Sequence, residues 1–303
     1  MAQAAPGATP GLLDTLPMLA FPILIFYLLL FRPQAKIRKQ HEQMLKNVKK
    51  YDEAARLLDE QIRTHPRNDY AYICRARLKA AQSAYDAAMS DLDTAWSIST
   101  ARGGSGDNRV PLTRAMLVVQ AYEGSGDSQH LVEAERILRE AMPSVPPGFR
   151  PRFRNLLTHV HWYRAQWGDA YQDACQSVAE NSYEERNFQY KAFASLATYK
   201  WDDAQRAAER GLALAGQLIL PRLLCGAALT IAASFAGVGA SEIDALHSRW
   251  LSELATAPEW RPDGFKWRPI QARIAALLSS HRQPQNVAIR VVEDVLRLIT
   301  ATA

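Results

Sequence analysis

The chain has 303 residues, 48% hydrophobic and 22% charged, with a net charge of +5. Ala, Leu, Arg, Glu and Gln dominate and no segment alternates with period two, which excludes a β-sandwich or barrel and points to an all-α chain. The cysteines, Cys74, Cys175 and Cys225, are isolated and odd in number, which argues against a disulfide framework or zinc knuckle and fits a reducing cytoplasm.

The N-terminus reads as a short extracytoplasmic tail, residues 1–11, followed by an apolar stretch over 12–31 whose only charge is Asp14. At 1.5 Å per residue such a helix reaches about 30 Å, the thickness of a bilayer core. A soluble core helix carries a polar face, and Leu16–Phe31 has none. A cleaved signal carries a positive n-region and a small-residue cleavage site, whereas 1–11 lacks Lys and Arg and the run ends in Phe31-Arg32-Pro33. The expectation is a single transmembrane anchor, with Pro17 and Pro22 its least helical positions.

Residues 32–50 form a basic juxtamembrane helix. Arg32, Lys36, Arg38, Lys39, Lys46, Lys49 and Lys50 face one acid, Glu42, so the segment carries +6 and the rest of the chain −1. Positive flanks stay cytoplasmic, which predicts an N-out, single-pass membrane protein, in the manner of a bacterial inner membrane. The seven cations are candidates for contact with lipid head groups. Charge confined to this place removes the support for nucleic-acid binding. An apolar span running into Phe31-Arg32-Pro33-Gln34, then a Lys/Arg-rich helix and Tyr51-Asp52-Glu53, resembles the N-terminus of the YajC family, single-span accessory proteins of the bacterial Sec translocon. The resemblance covers about residues 18–53. It implies a membrane anchor. The β-rich domain of that family does not follow here.

From Tyr51 the chain repeats. YDEAARLLDEQ at Tyr51 and YDAAMSDLDTA at Tyr85 align 34 residues apart, as do WGDAYQDACQS at Trp167 and WDDAQRAAERG at Trp201. LVEAERILREAM from Leu131 falls in the same frame, displaced by the Gly-rich ARGGSGDNRV and EGSGDSQH. An aromatic, an Ala three later, then Leu58, Leu92, Leu138, Ala174 or Ala208, resembles the tetratricopeptide repeat (TPR), with Pro66 and Pro146 at its closing proline. Tyr72 with Ala76, and Phe188 with Ala192, match the large-then-small pair of the first helix. Two antiparallel helices approach closely only where small side chains meet. The expected fold is therefore a TPR-like α-solenoid of five to six hairpins over residues 51–214, with a helical continuation and cap over 215–303. Within the latter, Leu218–Ala240 reads as a buried helix rather than a second span, because Gly, Ala, Ser and Thr dilute it and no basic cluster flanks it. The loop Ala257–Pro269 and three amphipathic segments complete the chain.

Chemistry is sparse. His159 and His161 project about 200° apart on a helix and cannot share a metal. No HExxH, P-loop or nucleophile motif is present, so neither enzyme, cofactor nor metal is expected. A solenoid offers instead a concave groove lined by the first helix of each repeat. The frame assigns to it Tyr70, Ile73, Arg77 and Ala80, then Arg152, Asn155, His159 and Trp162, then Arg186, Gln189, Phe193 and Leu196. Arg and aromatic side chains are the types that anchor protein partners. The sequence thus reads as a membrane-anchored scaffold for another, membrane-associated protein, with a constitutive subunit of a membrane complex as the alternative.

Overall fold

A computed structural model describes residues 50–102, 106–256, 264–280 and 287–300, the side chains of 264–267, 277–280, 287–288 and 299–300 excepted. The expected tail and span, and the cations Arg32, Lys36, Arg38, Lys39, Lys46 and Lys49, lie outside the described residues, while Lys50 is helical and exposed. Among the described residues there is no strand, and no helix is long and apolar enough to cross a membrane. The chain divides into two compact units between Ala71 and Tyr72.

In the first unit residues 50–64 are helical, with Ala54 and Leu58 half-buried. Arg63 Nη2 donates to Glu60 Oε1 at 2.6 Å along this helix. A turn at 65–68, containing Pro66, precedes helix α1 (Asp69–Ala81), which continues into the second unit.

In the second unit α1 is followed by α2 (Tyr85–Ala101), α3 (Arg109–Ser125), α4 (Gln129–Ala141), α5 (Arg150–Tyr163), α6 (Trp167–Glu180), α7 (Glu185–Ala197) and α8 (Trp201–Ala215). The links 82–84, 164–166 and 198–200 are too short for anything but antiparallel neighbours. Each has a left-handed residue at its centre: Ser83 (φ 61°), Ala165 (φ 56°) and Tyr199 (φ 61°). The next amide, of Ala84, Gln166 or Lys200, donates at 2.9 Å to the carbonyl five residues back, of Lys79, His161 or Ser195. This is a Schellman stop, repeated three times without glycine. The aromatic that follows, Tyr85, Trp167 or Trp201, opens the second helix of each pair.

The small residues of the repeat meet at the crossings. Ala88 and Leu92, Ala134 and Leu138, Ala170, Ala174 and Ser177, and Ala204, Ala208 and Gly211 are all buried. Gly211 shows how close the approach is: a Cβ there would lie 2.5 Å from Cys225 Sγ and 3.3 Å from Phe188 Cβ. Three apolar clusters follow the chain, one over α1–α3, one over α3–α5, and the largest from Trp162 to Leu296.

The C-terminal third continues the layering. Helix α9 (Ile219–Phe235) packs on α7 and α8, and α10 (Ala240–Ala255) packs on α9, where Trp250 Nε1 donates to Leu223 O at 2.8 Å. Helix α12 (Val287–Thr300) covers α9 and α10. Helix α11 (Gly264–Ser280) does not extend the stack: it packs against α5 and α7, the first helices of two hairpins, as well as α12. It begins at Gly264, so the second half of the expected loop Ala257–Pro269 is helical, with Pro269 inside the helix.

Substituting Trp for Ala88 or Ala204 should overpack a crossing and destabilise the fold by about 1–3 kcal/mol. The same change at exposed Ala179 or Ala213 should stay within about 0.5 kcal/mol, as read by thermal melting. Ala165→Gly should raise stability by about 0.5–1 kcal/mol, since relief of a left-handed Cβ outweighs the added freedom of the unfolded chain, and Ala165→Val should lower it.

Candidate partner-binding face

The residues assigned to the groove fall into two groups. Arg77, Arg152 and Arg186 are exposed, and Tyr70, in the first unit, is 49% exposed. Ile73, Asn155, His159, Trp162, Gln189 and Phe193 are buried, as are Ala80 and Leu196. The physical reasons differ by residue. Ile73 belongs to the apolar cluster of α1–α3. Trp162 stacks on Tyr190 of the next hairpin at 5.4 Å between centroids and 16° between planes, a contact worth about 0.5–1.5 kcal/mol beyond its burial. His159 packs its ring 4.7 Å from that of Tyr163, whose hydroxyl donates to Glu123 at 2.6 Å.

Asn155 is a staple between repeats. Its Nδ2 donates to Asn187 Oδ1 at 2.7 Å, and its Oδ1 accepts from Ser177 Oγ at 2.8 Å. Asn187 Nδ2 in turn donates to Asn181 O at 2.8 Å. All three side chains are buried, so removing one leaves a polar group unsatisfied at a cost of about 1–3 kcal/mol. Asn187 has no place among the groove positions read from the sequence; its signal there is an Asn 32 residues after Asn155.

Helix α11 packs on the same two helices, α5 and α7. Ile270 and Ile274 of that helix are fully buried in the same cluster as Trp162, Phe193 and Leu196. Between them Arg273 donates from Nε to Ala197 O, at the end of α7, at 3.2 Å. Its guanidinium lies 4.6 Å from the Tyr199 ring and 5.6 Å from the Trp167 ring. The chain's own C-terminal segment thus packs on α5 and α7, with Arg273 at the Ala197 end of α7, while Arg152 and Arg186 in their first turns stay exposed.

Charge holds the hairpins together at other positions. Arg75 and Lys79 of α1 both reach Asp91 of α2, each at 2.8 Å. Burial alone pushes the Asp91 carboxyl up, but these two bonded cations outweigh it and hold the group below its ordinary value. A longer chain of charges crosses α4, α5 and α6. Arg139 bonds Glu135 at 2.7 Å, His161 lies 3.5 Å from Glu135 and 3.1 Å from Asp173, and Arg154 bonds Asp173 at 3.3 Å and Glu180 at 2.9 Å. Arg164 also pairs with Glu135. Glu135 is depressed despite its burial, by Arg139 and then by His161. His161 is therefore a buried ring between the carboxylates of Glu135 and Asp173, while His159 is a ring among aromatics.

Among the described residues no group of three or more His, Cys, Asp or Glu could hold a metal. Cys74 and Cys175 are half-buried, and burial with the Glu185 charge pushes the Cys225 thiol up to about 12, far from a reactive thiolate.

Residues 15–54 match the family model of YajC, described as a preprotein translocase subunit. No curated protein matches the chain. Among solved structures it is similar to a tetratricopeptide repeat protein from Parabacteroides merdae, at 14% identity and a TM-score of 0.45, covering 86% of this chain and 97% of that one. The 34-residue spacing from Tyr51 to Tyr85 and from Trp167 to Trp201, with the small residues that follow each aromatic, itself marks the hairpins as TPR-like.

A carboxyl held below its unfolded value adds stability above that value and loses it as pH falls through the folded one. Asp91 and Glu135 are both of this kind, so the melting temperature should hold near neutrality and fall as pH drops below about 4, the unfolded range. Asp91→Asn should lower the melting temperature at pH 7 and flatten that acid limb. A wild-type limb that Asp91→Asn leaves unchanged would remove Asp91 from the account.

Proposed function

We propose that the chain is a membrane-anchored TPR-like scaffold that binds another protein at the cytoplasmic face of a membrane, in envelope or membrane-protein assembly. The observation that carries this reading is the run of stacked hairpins whose first helices present Arg152 and Arg186, both exposed, at corresponding positions of successive repeats. Arg152 lies over the Phe149 ring at 4.9 Å, which holds a cation on an aromatic base. An acidic partner segment laid across the first turns of α5 and α7 would meet both guanidiniums. Residues 12–31 serve as the anchor, N-terminus outside, and Arg32, Lys36, Arg38, Lys39, Lys46, Lys49 and Lys50 lie against anionic head groups. The reading assigns no catalysis, cofactor, metal or nucleic acid.

One observation favours a second reading. The match of residues 15–54 to a preprotein translocase subunit fits a constitutive subunit of a translocon or similar membrane complex, its span packed against partner spans. Affinity purification from membranes in mild detergent separates the two. An adaptor should recover its partner at less than equal copy number, and Arg152→Glu with Arg186→Glu should abolish recovery without shifting the melting temperature. If the double variant keeps a stoichiometric partner, and charge reversal at Lys46, Lys49 and Lys50 loses it, the subunit reading replaces the scaffold.

A further inference from the structure

The molecule holds a helix-binding face that is already filled. On α7 ten of thirteen side chains are buried, a proportion expected of a helix covered on both sides rather than of one lining an open groove. One cover is the stack itself, α8 and α9; the other is α11. The cover is lighter than what it covers. Among the described side chains of α11, residues 268–276, only Ile270 and Ile274 are fully buried, and Pro269 removes a backbone donor inside the helix. The face beneath is built independently of α11: Trp162 is stacked on Tyr190, and Asn155 and Asn187 are locked by hydrogen bonds that α11 does not share. At the end of α7 the Ala197 carbonyl, Tyr199 and Trp167 form a seat for a guanidinium, and Arg273 sits in it.

We propose that the face of α5 and α7 is a receptor for an amphipathic helix, and that α11 is its resident, intramolecular occupant. The partner that this face fits carries two branched aliphatic residues four apart with an arginine just before the second, as Ile270, Arg273 and Ile274 stand on α11. Two aliphatics at i and i+4 lie on one side of a helix, and an arginine at i+3 lies beside them, so one short segment satisfies the apolar patch and the seat together. Binding of such a partner is then an exchange with α11, and the free protein is held closed by its own segment. The proposal rests on the scaffold reading and names the partner chemistry for the C-terminal end of α7, whose first turn carries Arg186.

The test uses the full-length chain in detergent micelles and a fluorescein-labelled peptide of residues 264–280. In the variant Ile270→Asp with Ile274→Asp, two carboxylates cannot remain in the apolar cluster and α11 leaves it. The variant should bind the peptide with a Kd at least about tenfold lower than the wild type, where the tethered helix competes at high effective concentration. A peptide carrying the same two substitutions should not bind. If the double variant lacks a cooperative melting transition, Arg273→Glu, which empties the seat and keeps both isoleucines, supplies the same comparison. Equal binding by variant and wild type, or binding by neither, overturns the proposal. Because the probe is the chain's own segment, that negative result leaves the scaffold reading to its separate co-purification test.

Discussion

The fold depends on one steric condition, that wherever two helices of a hairpin cross, at least one side chain is small. Ala88, Ala134, Ala170, Ala204 and Gly211 are buried there, and a Cβ at Gly211 would lie 3.3 Å from Phe188 Cβ of the paired helix and 2.5 Å from Cys225 Sγ of the next. Close crossing makes each hairpin thin, and thin hairpins stack with their large residues between layers, as Trp162 does on Tyr190. The polar staples are a consequence. Once helices lie this close, Asn155, Ser177 and Asn187 fall inside the stack, and each is tolerated only because the others bond it.

A stack of this kind leaves its first helices without a cover on one side. In α1 and α3 that side keeps Arg77 and Met116 exposed. In α5 and α7 it is closed by α11, and this single departure from the layering converts residues suited to meeting a partner into core. The electrostatics follow the same division. Ion pairs such as Asp91 with Arg75 and Lys79, and Glu135 with Arg164, tie one element to the next, whereas Arg152 and Arg186 are exposed.

Much of this was legible from the sequence because the repeat is enforced by local sterics. The aromatics Tyr85, Trp167 and Trp201 open helices, and the alanines that follow them are buried, as a 34-residue frame requires. The three Schellman stops were not legible, because Ser83, Ala165 and Tyr199 are poor left-handed residues and only the imposed link length holds them there. The Asn155–Asn187 staple joins two residues that each look like ordinary surface polars. The groove frame put Trp162 and Phe193 on one face of their helices, but the packing of α11 there, with Arg273 on Ala197 76 residues away, was not legible, because periodicity shows that α11 has an apolar face without showing what the face meets.

The central claim is that α5 and α7 are interior helices, enclosed by the stack on one side and by α11 on the other. Native-state hydrogen exchange followed by mass spectrometry tests it most directly, because amides in enclosed helices open only with the whole unit. Phe188–Ala197 should be among the slowest-exchanging segments of the chain, slower than α2, whose outer face is exposed. Exchange of Phe188–Ala197 at the rate of α2 would contradict the enclosure.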